Sequence, residues 1–178
     1  MSLLRRALVP SLAAALLASP AAAAAGPGRA PDAAPAYRCA TSSRSIDTPS
    51  YSGPWADNWD VTVTLCAARS GAKVHAYAKV SWDGPAAGFK EDFFNDAYFT
   101  VRVQRGRSVL RSASFHGIKG RLENGDNFWG NHNGSYRTPV VTAHVGRGRA
   151  AAHGSLALDW RHHGNGYQRH AFSASPAR

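Results

Sequence analysis

One short segment, residues 123–136 (ENGDNFWGNHNGSY), combines aromatic rings with amide and imidazole side chains. An exposed ring can stack on the C–H face of a sugar or on a base, and stacking is worth about 1–3 kcal/mol per base. Asn-Gly pairs also form turns, so the rings could instead pack beneath the loop. We interpret the segment as a binding loop, with this structural alternative open. The candidate binding residues are Phe128, Trp129, Asn131, His132, Asn133 and Tyr136.

Acidic residues form a second candidate site. Four of the 11, Asp83, Glu91, Asp92 and Asp96, fall within 14 residues. The strand register predicted below makes Asp60 and Asp83 diagonal neighbours, about 7–8 Å apart. Such carboxylates could bind Ca²⁺ or act as an acid/base pair in glycoside hydrolysis. The spacing matches no EF-hand loop, and Asp in turns commonly bonds the local backbone. We therefore predict no metal site and no cofactor.

Histidines form the third candidate. His162, His163 and His170 are close in sequence, and His144 and His153 share one face of a predicted hairpin. Imidazoles at such spacing can bind Zn²⁺ or Cu²⁺, and His with Arg can cleave RNA by acid/base chemistry. No zinc motif and no Gly-x-Ser-x-Gly nucleophile motif accompanies them. The sequence therefore identifies no catalytic residue, and we favour a binding protein over an enzyme.

The elements that would position these residues are β-strands, and the clearest signal runs from Trp59 to Trp82. Apolar residues occupy every second position on both sides of a turn at 69–72, which predicts a hairpin with one apolar face. A four-residue loop would pair Leu65 with Ala76 and Trp59 with Trp82, keeping the apolar side chains together.

Two further hairpins are predicted. The first runs from Tyr98 to Phe115 and turns at 105–107. A three-residue loop would pair Val103 with Val109, and a two-residue loop is the alternative. The second runs from Tyr136 to Trp160 and turns at 146–148, with Pro139 at an edge or strand entry.

Strands are also predicted at Tyr37–Thr41 and Tyr167–Phe172, and a single helical turn at 88–96. Several short strands joined by Gly-rich turns are typical of all-β domains. We predict an antiparallel β-sandwich, because the loops are long and uneven. A small β-barrel is the alternative.

Residues 1–25 have the pattern of a secretory signal peptide. Arg5 and Arg6 precede an apolar stretch at 7–18, and small residues allow cleavage after Ala23 or Ala25. The stretch is shorter than the roughly 20 residues that a transmembrane helix needs. We therefore predict a secreted, extracellular protein without a transmembrane segment.

The rest of the chain divides into two parts. Residues 26–36 are rich in Gly, Pro and Ala and predict a flexible leader. Residues 37–178 have the length of a single β domain. The two cysteines, Cys39 and Cys66, both belong to it, and an even pair in an exported chain predicts one disulfide.

The charge is strongly basic. The chain has 21 basic and 11 acidic residues, and loss of Arg5 and Arg6 with the signal peptide would lower the formal charge from +10 to +8. The abundance of Arg, Ala and Gly is typical of GC-rich bacterial genomes, so part of the charge reflects composition. Arg-Gly turns at 105–107 and 146–149 place arginines on hairpin tips, where solvent exposure alone is a sufficient interpretation.

Basic charge favours anionic partners. We expect a non-catalytic extracellular binding domain for a glycan or anionic surface, with a polysaccharide or cell-wall polymer as the partner. Nucleic acid is a possible partner that no motif supports. The alternatives are a small secreted hydrolase, either a nuclease or a glycosidase, and a peptidase inhibitor or antibacterial protein.

Overall fold

The computed structural model of the protein describes residues 34–49, 57–85, 92–124 and 132–178. Within these ranges nine strands form two antiparallel sheets. The strands are β1 (Arg38–Ile46), β2 (Trp59–Ser70), β3 (Lys73–Asp83), β4 (Phe94–Arg105), β5 (Ser108–Phe115), β6 (Gly134–Arg137), β7 (Val141–His144), β8 (Ala151–Trp160) and β9 (Tyr167–Phe172). A 3-10 turn at His116–Ile118 leads into the short helix α1 (Lys119–Glu123). The predicted signal peptide and most of the predicted leader lie outside the described residues.

The two sheets pack face to face and neither closes on itself, which confirms the predicted sandwich. One sheet has the order β1-β2-β3, and both β6 and β7 pair with the far edge of β3. The other has the order β5-β4-β8-β9. We call them the five-stranded and the four-stranded sheet. Among the described residues, no helix has both the length and the apolar character needed to cross a membrane.

The core lies between the sheets and consists of the alternate apolar residues of the central strands. Val61, Val63 and Leu65 of β2 are at most 1 % exposed, and Phe99 and Val101 of β4 are fully buried. Burying one such side chain contributes about 1.5–3 kcal/mol. The alternation read from the sequence is therefore the main source of the fold's stability.

The predicted register of the first hairpin is wrong by two residues. The turn contains only Gly71 and Ala72, so that Leu65 pairs with Ala78 and Val61 with Trp82. Gly71 has a φ of +55°, which glycine adopts without steric cost and which permits this tight turn. The apolar face survives the correction because side chains alternate with a period of two.

The second hairpin has the two-residue turn that was the alternative. Arg105 pairs with Ser108, and a bulge between Val103 and Gln104 places Val103 opposite Arg111. The helical turn predicted at 88–96 is not found where the structure describes that range, because Phe94–Asp96 belong to β4. Residues 88–91 lie outside the described residues.

The predicted third hairpin is wrong. β7 pairs with β3 in the five-stranded sheet, whereas β8 pairs with β4 in the four-stranded sheet. The connection at 145–150 therefore crosses between the sheets. β6 and β7 pair in turn with the same edge of β3, and the pairing is interrupted between them. At this interruption the side chain of Thr138 accepts a hydrogen bond from the amide of Ala78 at 3.0 Å.

The predicted disulfide joins Cys39 to Cys66. The two residues are direct partners on β1 and β2 and lie on the outer face of the five-stranded sheet. The bond fastens an edge strand to its neighbour on the side of the sheet away from the core.

Replacing both Cys39 and Cys66 by Ser is expected to lower the free energy of unfolding by about 3–4 kcal/mol, because the loop it closes becomes unconstrained in the unfolded state. Urea denaturation followed by tryptophan fluorescence measures this change. Wild-type protein under reducing conditions is the matched control and should unfold at the same midpoint. A loss below about 1 kcal/mol would contradict the loop-closure argument.

Candidate functional site

Half of the predicted binding loop can be located. Phe128, Trp129 and Asn131 lie outside the described residues. His132 is only 2 % exposed and packs its ring 4.9 Å from that of Phe93 and 5.7 Å from that of Trp59. His132 therefore stands among the aromatic side chains that close one end of the core.

The other two described loop residues are partly buried. Tyr136 packs against the core. Asn133 accepts a hydrogen bond from the amide of Gly84 at 3.0 Å. It also lines a cleft of about 280 Å³ whose wall includes Trp82, Arg121 and Ser135. That volume falls just below the range of roughly 300–1,000 Å³ found for pockets that hold drug-sized ligands. A ligand-binding role for the loop stays a prediction.

The acidic residues do not assemble into a metal site in the part of the chain that the structure describes. Asp60 and Asp83 are direct cross-strand partners, so their predicted diagonal placement is wrong. Asp60 accepts a hydrogen bond at 3.1 Å from the amide group of Asn58, which also donates to Ser45. No group of three or more metal-ligating side chains is found in the described ranges.

The histidines are also dispersed. His144 and His153 lie in different sheets, so the predicted shared face is wrong. Burial, followed by the nearby charge of Arg102, lowers the pKa of His153. The pKa of His170 is also lowered, mainly by burial and further by the positive charge of Arg44. Both imidazoles are therefore biased towards the neutral form by their surroundings.

A different arrangement emerges at one end of the sandwich, where basic residues from both sheets meet. We call this surface the basic end. It comprises the turns β2–β3, β4–β5 and β7–β8 together with the start of β1 and the last residues of the chain. Its basic residues are Arg38, Arg69, Lys73, Arg105, Arg107, Arg147, Arg149 and Arg178.

Two arginines of the basic end are fixed by backbone oxygens. The guanidinium of Arg69 donates to the carbonyls of Gly71 at 3.0 Å and Gly146 at 2.8 Å, and also to that of Gly148. Arg105 donates to the carbonyl of Val145. Arg69 also donates to an oxygen of Arg178, the last residue of this sequence, at 3.3 Å. These contacts rigidify the surface, and the internal backbone carbonyls among them satisfy the donors without cancelling the positive charges.

No aspartate or glutamate of the described ranges lies at the basic end. The described acidic residues are Asp47, Asp57, Asp60, Asp83, Asp92, Asp96, Glu123 and Asp159, and strand direction places all of them towards the opposite end. The ion pairs found in those ranges, such as Arg161 with Asp92 at 3.1 Å, also lie there. The molecule is therefore electrostatically polar along the strands.

Arg178 lies close to two other arginines of the basic end, Arg38 and Arg149. Burial, together with the neighbouring charges of Arg38 and Arg149, lowers the pKa of its guanidinium. Like-charge repulsion of this kind destabilises the folded state unless an anion relieves it. This surface therefore brings several positive charges close together.

A second polar arrangement lies on the outer face of the four-stranded sheet, near the end opposite the basic end. We call it the Asp96 cluster, and it consists of Asp96, Tyr98, His116, Tyr167 and Arg169. A bulge in β4 between Phe94 and Asp96 turns the Asp96 carboxylate outward. Tyr98 lies two residues after Asp96 on β4, and Arg169 lies two residues after Tyr167 on β9. Because side chains alternate along a strand, all four lie on the same face.

The Asp96 carboxylate organises this cluster through hydrogen bonds. Tyr167 donates its hydroxyl at 2.6 Å, and the Nδ1 of His116 donates at 3.0 Å. The ring of Tyr98 lies beneath both, 4.9 Å from the imidazole and 5.0 Å from the phenol. The guanidinium of Arg169 sits 5.5 Å from the Tyr98 ring centre. The His116 and Tyr167 side chains are thus held in place although both are exposed.

The hydrogen bonds in this cluster shift the pKa values of Asp96 and Tyr167. Burial alone would raise the pKa of Asp96, but the hydrogen bonds from Tyr167 and His116 outweigh it and lower the pKa below its usual value. The same bond to Asp96 raises the pKa of Tyr167 to about 12. The carboxylate is therefore ionised and the phenol is protonated at neutral pH.

The sequence contained a partial signal for both arrangements. The arginines of the turns were visible, but their meeting depends on which connections share an end, and the predicted third hairpin was wrong. Asp96 was visible only as one of a run of acidic residues. Its outward orientation depends on a bulge that no sequence pattern marked.

Comparison with known proteins gives no family for this chain: no protein-family model, no curated protein and no solved structure matches it.

Replacing Asp96 by Asn is expected to bring the pKa of Tyr167 down from about 12 towards the ordinary value of 10.0. A raised tyrosine pKa contributes stability that is present below pH 10 and is lost as the pH rises through 12. Ultraviolet absorbance titration of the tyrosinates measures the shift, with Tyr167→Phe identifying which phenol is responsible. Identical titration curves for wild type and Asp96→Asn would contradict the hydrogen bond.

Proposed function

We propose that this chain is an extracellular, non-catalytic binding domain that docks through its basic end on an anionic polymer, such as a carboxylated or phosphate-bearing cell-wall polysaccharide. The observation that carries the proposal is the concentration of arginine and lysine at one end, with no aspartate or glutamate of the described residues beside them.

The chemistry of the side chains favours carboxylate or phosphate groups as the ligand. Guanidinium groups remain charged at all physiological pH values and bind both groups with two parallel hydrogen bonds. Arg107, Arg147 and Arg149 are exposed at the turn tips, where a polymer chain can reach them. Arg69 and Arg105 bond the backbone of the β7–β8 connection, and their positive charges add to those of the turn tips.

An extracellular location is supported by two independent features. The first 25 residues have the pattern of a signal peptide. The disulfide between Cys39 and Cys66 is of the kind that persists in oxidising compartments. The loop at 123–136 remains a predicted further contact, and its described residues lie near the end opposite the basic end.

Charge reversal at the turn tips is the direct test. The triple variant Arg107→Glu, Arg147→Glu, Arg149→Glu should bind immobilised polygalacturonate and polyphosphate at least about a hundredfold more weakly at low salt, since each cation near an anionic surface is worth about 1 kcal/mol. Equilibrium binding is measured across salt concentrations. Wild-type affinity should fall steeply with added salt, and the variant's should fall less.

The matched control makes the same charge change elsewhere. Arg44, Lys79 and Arg121 are exposed and lie outside the basic end. Compared at 0.1 M salt, their reversal to Glu should cost clearly less affinity than the turn-tip reversal, because screening confines the effect of a charge to about 10 Å at that salt concentration. Equal losses in the two triple variants would mean that net charge alone drives binding. No wild-type binding at low salt would refute the proposal.

Anion binding should also stabilise the folded protein, because the ligand relieves the repulsion among the clustered arginines. A ligand at a hundred times its Kd raises the free energy of unfolding by about 2.7 kcal/mol. Thermal unfolding of wild type with added polygalacturonate should therefore show a higher Tm, and the turn-tip variant should show little change. A Tm that polygalacturonate leaves unchanged in the wild type would contradict binding to the folded state.

A further inference from the structure

The Asp96 cluster is distinct from the basic end and lies on the outer face of the four-stranded sheet. Two of its three rings are solvent-accessible: Tyr167 is 43 % exposed, and the side chain of His116 is 60 % exposed. Exposed side chains of this kind ordinarily sample several rotamers. Here the Asp96 carboxylate fixes both, with bonds of 2.6 Å and 3.0 Å.

We infer that this face is a platform for a pyranose unit of a polysaccharide, with Tyr167 and His116 forming the stacking surface and Arg169 binding its hydroxyls. A ring that is already oriented loses little conformational freedom when a ligand stacks on it, so preorganisation raises affinity. The buried ring of Tyr98 supports the platform from below, in contact with both exposed rings.

The polar groups at the rim match the chemistry of a sugar. A hydroxyl both donates and accepts hydrogen bonds, so a sugar site needs donors and acceptors side by side. Arg169 supplies donors, and Asp159, the direct cross-strand partner of Asp96, supplies an acceptor carboxylate. Ala157 lies opposite both Tyr98 and Arg169, and its small side chain leaves room for them to approach each other.

The same carboxylates argue against a nucleic-acid ligand at this face. Asp96 and Asp159 occupy adjacent strands at the same level, and both charges act on Tyr167 and raise its pKa. Two negative charges beside the stacking surface repel a phosphodiester backbone. A neutral pyranose ring meets no such repulsion, and its axial C–H groups fit the face of an aromatic ring.

The platform predicts a component of binding that survives high salt, because stacking and hydrogen bonds to neutral hydroxyls do not depend on counterions. Wild-type protein is expected to bind at least one of chitin, cellulose and purified bacterial wall glycan in 1 M NaCl. The experiment is a sedimentation binding isotherm with each polysaccharide, accompanied by an assay for released reducing sugars.

Three variants separate the roles within the platform. Tyr167→Ala removes the stacking ring and should weaken the salt-resistant binding roughly tenfold or more. Tyr167→Phe and Asp96→Asn keep the ring but lose its fixed orientation, so each should weaken binding by a smaller factor. Circular dichroism and Tm measurements on all three establish that the sandwich remains folded.

Two controls make the result specific. Tyr37 is a partly exposed tyrosine that packs against Tyr77 on the other sheet, with ring centres 5.0 Å apart, so Tyr37→Ala removes a comparable ring elsewhere. It should bind as wild type. The turn-tip triple variant of the basic end should also keep its binding in 1 M NaCl, which distinguishes this site from the proposed anionic-polymer surface.

Either of two results overturns the platform. If wild type binds no polysaccharide in 1 M NaCl, or if Tyr167→Ala binds as tightly as wild type, the Asp96 cluster holds no sugar. Release of reducing sugars that is abolished by His116→Gln would also overturn it, because the imidazole would then act in hydrolysis. Salt-sensitive binding to polygalacturonate could persist in each case, so the two proposals fail independently.

Discussion

The whole structure depends on one constraint, that each sheet must bury a single face against the other. Side chains alternate across a strand, so burying one face commits every second residue of β2, β3, β4 and β8 to the core. The residues in between lie on the outer faces of the sheets, where some, such as Tyr98, are covered by neighbouring side chains and others are exposed. The Asp96 cluster and the cross-strand disulfide both occupy these outward positions, where the core places no demand on residue type.

The polarity of charge follows from the same antiparallel architecture. Apart from the β6–β7 link, which runs along the edge of β3, successive connections alternate between the two ends of the sandwich, so turns that are far apart in sequence meet at one end. The β2–β3, β4–β5 and β7–β8 connections all carry Arg or Lys, whereas Asp47, Asp57, Asp83 and Asp92 flank connections at the other end. A chain with an excess of basic residues thereby acquires a concentrated positive surface at one end.

The parts of the fold that the sequence predicted are those governed by local chemistry. The alternation in 59–82 predicted the apolar face of β2 and β3, and an even pair of cysteines in a chain predicted to be exported indicated the disulfide. The β9 strand was also located correctly at Tyr167–Phe172. The predicted register of the first hairpin was wrong because both registers preserve the apolar face. The positive φ of Gly71 permits the two-residue turn, and that turn sets the observed register.

The candidate site was harder to predict because it depends on contacts between distant segments. The prediction that His144 and His153 share one face was wrong because β7 pairs with β3 rather than with β8. Strand pairing at a sheet edge leaves little trace in a single sequence. Asp96 lies 20 residues from His116 and 71 from Tyr167. No local pattern could associate them, and a one-residue bulge in β4 decides whether the carboxylate faces them at all.

The two surfaces differ in how the protein stabilises them, and this difference bears on what each can do. At the Asp96 cluster, ionised, protonated and aromatic groups satisfy one another, so the site is rigid without a ligand. At the basic end, Arg69 and Arg105 are held by backbone oxygens, and no aspartate or glutamate of the described residues lies beside them. A surface whose repulsion is relieved only by an external anion gains stability on binding, whereas a preassembled aromatic surface gains affinity by losing little entropy. The fold can support both because the basic turns and the Asp96 cluster lie towards opposite ends of the strands, beyond the roughly 10 Å over which their charges would interfere at 0.1 M salt.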